Sequence, residues 1–382
     1  MLQTFLLMAL IILMTGFILG MTPYVVRRNI HFGVMLPDQA HELSIAKKWK
    51  KQFLSWSIGA TLGCILPLFI GFFLNLTADA LNHYLAVVGT LAILVVIVWH
   101  GVMYLYFHRQ VKVFKEREFS HEEVQHDARI MVSTEFHTQK MIVSNSWLIL
   151  IGGAIVLVTA LVPLVIYDQI PAYVPVNWDF DGVARFVPKT RMVFLLLPAI
   201  QLGMLFIFLF VNYSFKATKQ LLNPRRAKSS VAQNRAYRYA MSKFLIITAI
   251  GSLLLMSLTQ FMIAFDVHEP RWVTWISIGF MLCIFVGIVY LIWKYGQGGE
   301  RYKRKQSSDD DSQAYRMLDD DKFWKLGVFY YNPNDSAIFV EKRFGIGITL
   351  NFARPQAWLM MLGVLVFTIA TIIISYVMVG AL

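Results

Sequence analysis

Residue types that could bind a metal ion occur at residues 121–126, where His121 and His126 enclose two Glu residues. A helical zinc site places its two His ligands four positions apart, so that both rings lie on one face of the helix. Here the two His residues are five positions apart, which turns the second ring away from the first. Ser120 and Glu123 fit a capping box, so the segment predicts the start of a solvated helix.

Two Asp-rich segments could hold a divalent cation. Asp179, Asp181 and Gly182 begin like a calcium loop, but no Glu follows at the spacing of the bidentate ligand. A turn with Gly182 at positive φ is the simpler interpretation. Residues 319–321 are three Asp residues, and consecutive side chains converge on one Mg²⁺ ion only where the backbone folds around it. We therefore interpret these acids as solvated and expect neither a metal nor another cofactor.

Nucleophiles and bases are scattered in the loops, in which no Ser/His/Asp triad and no Cys/His pair can be recognised. The two cysteines, Cys64 and Cys283, lie within apolar runs, as small fillers do. We therefore expect a protein that is not an enzyme.

Long apolar runs dominate the sequence, in which 57% of the 382 residues are hydrophobic and 15% are charged. A helix needs about 20 predominantly apolar residues to cross a bilayer. Eight runs meet this length, at residues 2–22, 53–74, 84–107, 147–167, 192–211, 244–265, 272–293 and 357–380. They predict an all-α polytopic membrane protein with about eight transmembrane helices.

The basic residues are distributed unevenly between the gaps that separate these runs. Of the 35 Lys and Arg residues, 31 lie in alternate gaps, at 23–52, 108–146, 212–243 and 294–356, and four lie in the other gaps. Cytoplasmic loops carry an excess of Lys and Arg, so these gaps are predicted to be cytoplasmic and both termini extracytoplasmic. Basic residues in such positions orient the chain and contact the lipid bilayer. The net charge of +12 therefore does not indicate direct binding of nucleic acid.

Ionisable residues are nearly missing from the interiors of the predicted spans, where His100 is the exception. Such residues mark proton relays and ion sites, so the pattern argues against ion-coupled transport and against intramembrane proteolysis. We expect a neutral, hydrogen-bonded His100, with a pH-sensitive switch as the alternative. Gln201 and Gln260 are expected to form interhelical hydrogen bonds. Three spans contain a proline that kinks them or opens a cavity: Pro67, Pro163 and Pro198.

Two loops are long enough to form a binding element. Loop 168–191, on the predicted outer side, combines aromatic residues with a turn, and its candidate residues for contact with a partner are Pro175, Asn177, Trp178, Asp179, Asp181, Gly182 and Lys189. In segment 294–356, a polar linker at 307–311 precedes two aromatic and β-branched runs that are joined by a turn signal at 332–335. This pattern predicts a small β-hairpin-like cytoplasmic element before the last helix. Its candidate residues are Trp324, Tyr331, Asn332, Pro333, Asp335, Lys342, Arg343, Gly345, Gly347 and Asn351.

These features divide the chain into five regions. The first is a three-span region with basic loops, at residues 1–146, and the second is a two-span unit with outer loop 168–191, at residues 147–212. The third, at 213–293, contains a basic loop and two spans. The fourth, at 294–356, contains the linker and the cytoplasmic module, and the fifth, at 357–382, is the last span.

Both loops are similar to known patterns. Pro175, Trp178, Gly182 and Lys189, with their flanking spans, resemble the membrane-domain signature of Sdp-type immunity proteins, which protect a bacterium from its own Sdp toxin. Asn177 stands where that family usually has His. Residues 329–352 resemble an uncharacterised module with the pattern Tyr-Asn-Pro-x-Asp…Val-x-Lys-Arg…Gly-x-Gly…Asn-Phe. The resemblances imply a bacterial plasma-membrane protein.

Two functions of different classes fit these patterns. The resemblance implies an immunity or sensor protein, whose outer loop engages a secreted peptide toxin or responds to membrane stress and whose cytoplasmic loops recruit a transcriptional regulator. The alternative is a transporter or channel for lipid or peptide without ion coupling, because prolines and glycines in eight spans permit a cavity. The sequence leaves the oligomeric state open.

Overall fold

The computed structural model describes residues 2–27, 29–36, 44–74, 76–119, 140–178, 184–219, 227–267, 271–302, 320–345 and 347–380. This part of the chain contains eight helices that are long and apolar enough to cross a membrane, and each corresponds to a predicted span. The prediction of an all-α polytopic membrane protein is therefore confirmed. The helices are α1 (Leu2–Val25), α2 (Ser44–Ile70), α3 (Ala78–Glu118), α4 (Asn145–Val165), α5 (Arg191–Ala217), α6 (Ala227–Ala264), α7 (Arg271–Tyr295) and α8 (Pro355–Gly380).

Two helices are much longer than a bilayer requires. Helix α3 has 41 residues and α6 has 38. At 1.5 Å per residue α3 extends for about 60 Å, twice the thickness of the hydrocarbon core. Its C-terminal third carries four of the six basic residues of gap 108–146, so the helix continues beyond the apolar span.

Within the described ranges the strands form four separate antiparallel hairpins. They pair β1 (Ile30–His31) with β2 (Val34–Met35), β3 (Tyr173–Trp178) with β4 (Ala184–Pro188), β5 (Trp324–Lys325) with β6 (Phe329–Tyr330), and β7 (Phe339–Glu341) with β8 (Ile348–Leu350). The last two hairpins lie directly before α8 and confirm the predicted β element there.

The chain divides into two units. The first contains Met1–Gln139, Thr218–Tyr237 and Val289–Arg354, and the second contains Lys140–Ala217, Arg238–Ile288 and Pro355–Leu382. In the first unit α1 packs against α2 through small residues. Gly16 lies against Thr61, and Gly20 lies against Ser57. In the second unit the hairpin β3–β4 connects α4 to α5. Almost all of segment 294–356 belongs to the first unit.

Candidate functional site

The hairpin of loop 168–191 is anchored by one of its two faces. Val174 and Val187 are paired across β3 and β4, and both are buried in a cluster with Phe194 of α5 and Ile263 of α6. Alternate residues of a strand point to opposite faces, and the opposite face presents Tyr173, 62% exposed, and Phe186, 47% exposed. An apolar core thus holds a hairpin whose other face displays aromatic rings.

The predicted contact residues of this loop take different places. Pro175, Asn177 and Trp178 belong to β3, which has an irregular register between Pro175 and Asn177. Asp179, Asp181 and Gly182 lie outside the described residues, so the interpretation of Gly182 as a turn residue stays a prediction.

Lys189 ties the base of this loop together. Its Nζ donates to the carbonyl oxygens of Tyr167 at 2.8 Å and Ile170 at 2.6 Å, and it lies 4.8 Å from the centre of the Tyr167 ring. The Lys189 backbone N–H also donates to the carbonyl of Ala172 at 2.8 Å. The ammonium group therefore holds the hairpin to the short turn after α4.

Buried polar side chains join α4, α5 and α6 within the apolar spans. Gln201 Nε2 donates to the carbonyl of Leu253 at 2.9 Å and to Ser257 Oγ at 3.0 Å, and Ser257 Oγ lies 2.6 Å from Thr159 Oγ1. Gln201, Ser257 and Thr159 are all buried. The expectation that Gln201 forms interhelical hydrogen bonds is confirmed.

Gln260 compensates for the proline of α5. A helical carbonyl normally accepts from the N–H four residues later, but the residue four positions after Phe194 is Pro198, which has no N–H. Gln260 Nε2 donates to the Phe194 carbonyl at 2.8 Å from the neighbouring helix. The predicted interhelical bond of Gln260 is therefore confirmed, and Pro198 supplies its physical reason.

We expect Gln260→Leu to destabilise the protein by about 1–2 kcal/mol, because it leaves a buried carbonyl without a donor. In a Pro198→Ala background the loss should shrink, because residue 198 then supplies the intrahelical N–H. Chemical denaturation of the four proteins in detergent measures this coupling. An equal loss in both backgrounds would contradict the assignment.

The C-terminal module, residues 320–354, is organised around one buried asparagine. Asn351 Oδ1 accepts from the N–H of Asn332 at 3.0 Å, and its Nδ2 donates to the carbonyls of Asn332 at 2.9 Å and Asp335 at 3.1 Å. Asp335 Oδ2 accepts from Tyr330 Oη at 2.9 Å and from Lys219 Nζ at 2.7 Å. The side chain of Asn351 thus fixes the turn 332–335.

This turn does not join two paired strands, as the sequence suggested. Strand β6, before the turn, forms a parallel bridge with Asn351 instead of pairing with β7. The hairpin turns lie at 326–328, where Gly327 has φ +68°, and between Glu341 and Ile348, where Gly345 and Gly347 have φ +86° and +116°. Only glycine adopts such φ values at little cost. The predicted β element is therefore present, and its hairpin turns lie outside residues 332–335.

Arg343 is the charged centre of the module. It is buried, and its guanidinium donates to Asp320 and Asp321 and to the carbonyl of Gly33, the last at 3.2 Å. Lys115 Nζ of α3 lies 2.7 Å from Asp321 Oδ2. The interpretation of these acids as solvated was wrong for Asp320 and Asp321, because Arg343 folds back onto them; Asp319 lies outside the described residues.

We expect the module to loosen in acid. Burial raises the pKa of Asp321, but the charges of Arg343 and Lys115 outweigh it, so the pKa lies below the ordinary 3.8. A carboxyl group whose pKa is lower in the folded state stabilises that state at pH values above its pKa in the unfolded chain. This stabilisation is lost as the pH falls through the pKa of the folded state. Denaturation midpoints between pH 6 and pH 3 should fall less in Asp321→Asn than in the unsubstituted protein. Parallel curves would contradict this expectation.

A second buried ion pair connects the module to the end of α1. Arg27 Nη2 lies 2.5 Å from Glu341 Oε2, and both side chains are 6% exposed. Asn234 of α6 donates to Glu341 Oε1 at 3.2 Å, and Gln297 Oε1 accepts from the Arg27 N–H at 3.1 Å. Sequence reasoning missed these residues. The sequence signal that could have identified Glu341 is its position directly after the apolar run 338–340.

The module and the hairpin β1–β2 also pack against the C-terminal half of α3. Tyr104 Oη donates to the carbonyl of Leu326 at 2.9 Å, and His108 Nδ1 lies 2.8 Å from the carbonyl of Phe32. The ring of Phe344 lies 4.1 Å from that of Tyr104. Of the remaining candidate residues of the module, Trp324 is buried. The other three are exposed: Tyr331, Pro333 and Lys342.

His100 is buried within α3 and hydrogen bonded, as expected. Its Nδ1 lies 2.7 Å from the carbonyl of Val96. Across the described ranges, no group of three or more His, Cys, Asp or Glu side chains could hold a metal ion. Residues 121–126 lie outside those ranges.

Two family models match parts of the chain. Residues 154–202 match a domain of unknown function (DUF1648), and residues 333–358 match a family of unknown function (DUF5808). No curated protein and no solved structure matches the chain significantly. The first match covers the hairpin β3–β4 with the adjoining parts of α4 and α5, and the second runs from within the turn 332–335 to the start of α8. The chain is therefore a multi-pass membrane protein of unknown function with two segments that are similar to uncharacterised families.

Proposed function

We propose that this protein is a non-enzymatic bacterial plasma-membrane protein with an immunity or sensor role. The hairpin β3–β4 lies outside and contacts a secreted peptide toxin or reports membrane stress, and the basic loops with the C-terminal module lie in the cytoplasm and recruit a regulator. The distribution of Lys and Arg supports this orientation.

One observation carries the proposal: a hairpin fixed by Val174, Val187 and Lys189 displays Tyr173 and Phe186 on its opposite face. Exposed aromatic rings on a rigid support provide contact area at little entropic cost. A membrane-active peptide is itself apolar, so this face suits it as a partner.

The experiment is a survival assay of a deletion strain against peptide toxins and membrane-active antibiotics of related bacteria. The intact gene should restore survival against a particular toxin, and Tyr173→Ala with Phe186→Ala should not. Phe206→Ala, an exposed aromatic position on α5, is the control. Rescue by the hairpin variant at equal membrane levels would oppose the proposed contact.

The alternative is a lipid or peptide transporter without ion coupling. It is favoured by the polar side chains of Thr159, Gln201, Ser257 and Gln260 inside the spans of the second unit. Flux of fluorescent lipid or peptide in proteoliposomes, compared with empty liposomes, tests it.

A further inference from the structure

Two cations approach each other at the end of α1. Lys50 lies in the second turn of α2 and is half-buried. Burial lowers the pKa of the Lys50 ammonium, and the positive charge of Arg301, an exposed residue that follows α7, lowers it further. Arg301 Nη2 donates to the carbonyl of Tyr24, in the last turn of α1, at 2.6 Å.

The packing of α1 on α2 places Lys50 independently. A Cβ on Gly16 would collide with Thr61, and a Cβ on Gly20 would lie 3.0 Å from Ser57. Because the helices are antiparallel, the same register brings Tyr24 level with Phe53 and the end of α1 level with Lys50. Helix α1 has 24 residues, close to the number that crosses a bilayer. From this length we place Lys50 and Arg301 at the depth of the lipid headgroups.

The turn that carries Arg301 is fixed. Its backbone N–H donates to the carbonyl of Tyr295 at 3.0 Å, and the rings of Tyr295 and Tyr302 stack 5.4 Å apart. Gly296 has φ +61°, and a Cβ there would lie 2.9 Å from Arg301 Cγ. The position of the guanidinium is thus set before any ligand binds.

Arg27, at the same end of α1, has two acids beside it. Arg27 is paired with Glu341 at 2.5 Å and lies 3.8 Å from Glu300. Within the ranges that the structure describes, neither Lys50 nor Arg301 forms an ion pair, and the hydrogen bond of Arg301 goes to a neutral carbonyl. Lys50 is half-buried and Arg301 is exposed, so solvent screens part of the repulsion between their charges, and an anion bound between them removes the rest.

We propose that Lys50 and Arg301 bind the phosphate group of an anionic phospholipid. Arg and Lys are the usual phosphate ligands of proteins, and a cation at the membrane surface contributes about 1 kcal/mol toward an anionic lipid. A free phosphate has the same chemistry. The headgroup depth of the pair assigns the anion to a lipid.

The test uses the full-length protein in an uncharged detergent. Its thermal unfolding midpoint is followed during titration with phosphatidylglycerol, phosphatidylcholine or inorganic phosphate at equal phosphorus concentration. We expect phosphatidylglycerol alone to raise the midpoint. Lys50→Gln and Arg301→Gln should each require about fivefold more phosphatidylglycerol, since 1 kcal/mol corresponds to that factor. Lys48 is exposed and lies about 200° around the helix from Lys50. The variant Lys48→Gln should therefore require no more phosphatidylglycerol than the unsubstituted protein.

Each contrary result overturns a specific part of the proposal. An equal loss in Lys48→Gln means diffuse attraction and no site. An equal effect of inorganic phosphate removes the lipid assignment, and an equal effect of phosphatidylcholine removes the role of charge. Should Lys50→Gln fail to fold, Lys50→Arg keeps the charge and must keep the response. Native mass spectrometry must then show phosphatidylglycerol retained by the unsubstituted protein and lost by Arg301→Gln.

Discussion

Replacement of Glu341 by Gln is expected to lower the free energy of unfolding by roughly 3–5 kcal/mol. The substitution keeps the shape of the side chain, but among the described residues it leaves Arg27, whose side chain is 6% exposed, with Glu300 at 3.8 Å as its one remaining acidic partner. A buried charge that loses its partner carries the full cost of desolvation. Chemical denaturation of the purified protein, followed by tryptophan fluorescence, measures the loss.

Glu300→Gln is the matched control for this prediction. It makes the same chemical change beside the same guanidinium, but Glu300 is 38% exposed, so a loss of no more than about 1 kcal/mol is expected. The double variant Arg27→Met with Glu341→Leu should lose less than Glu341→Gln, because no charge is left buried. Equal losses of unfolding free energy in Glu300→Gln and Glu341→Gln would show that the buried pair contributes no more to stability than the exposed one.

Replacement of Gly33 by Ala is expected to cost roughly 3 kcal/mol. Gly33 has φ +78°, which is unfavourable for alanine by about 1–2 kcal/mol. Its Cβ would also collide with the hydroxyl of Tyr104 and lie 2.7 Å from the carbonyl oxygen of Gly327. Because the contacts include backbone, the neighbours cannot easily move away, and overpacking adds a cost of about 1–3 kcal/mol.

The control for Gly33 is Gly101→Ala in α3. A Cβ on Gly101 meets nothing within 4 Å, and alanine is the better helix former, so this variant should be as stable as the unsubstituted protein or slightly more stable. The same denaturation assay compares the two. If Gly33→Ala and Gly101→Ala have the same free energy of unfolding, the hairpin β1–β2 is not held against the module as the structure shows.

Local patterns predicted much of the architecture. The eight helices follow from apolar runs of membrane-crossing length, and the bonds of Gln201 and Gln260 follow from the cost of an unpaired amide in an apolar span. The β element before α8 follows from aromatic and β-branched runs. These predictions succeeded because each depends on residues close together in the sequence.

Partners distant in the sequence were not predictable in the same way. Asp320 and Asp321 were expected in solvent, but Arg343 reaches them after a chain reversal of more than 20 residues. Contact of Lys189 with a partner stays a prediction, and the hydrogen bonds of its ammonium group with the carbonyls of Tyr167 and Ile170 were not predicted. A charged residue in a loop has the same sequence signal whether it meets solvent, a ligand or another loop.

The sequence by itself determined the membrane class, the number of spans and the places where polar elements interrupt them, because hydrophobic length and residue type act locally. Only the tertiary structure decided that Glu341 neutralises Arg27, that Asn351 shapes the turn 332–335, and that the module packs on α3. The physical reason is that hydrogen bonds and ion pairs depend on distances of a few ångströms. Only the folded path of the chain brings residues 27 and 341 within that range.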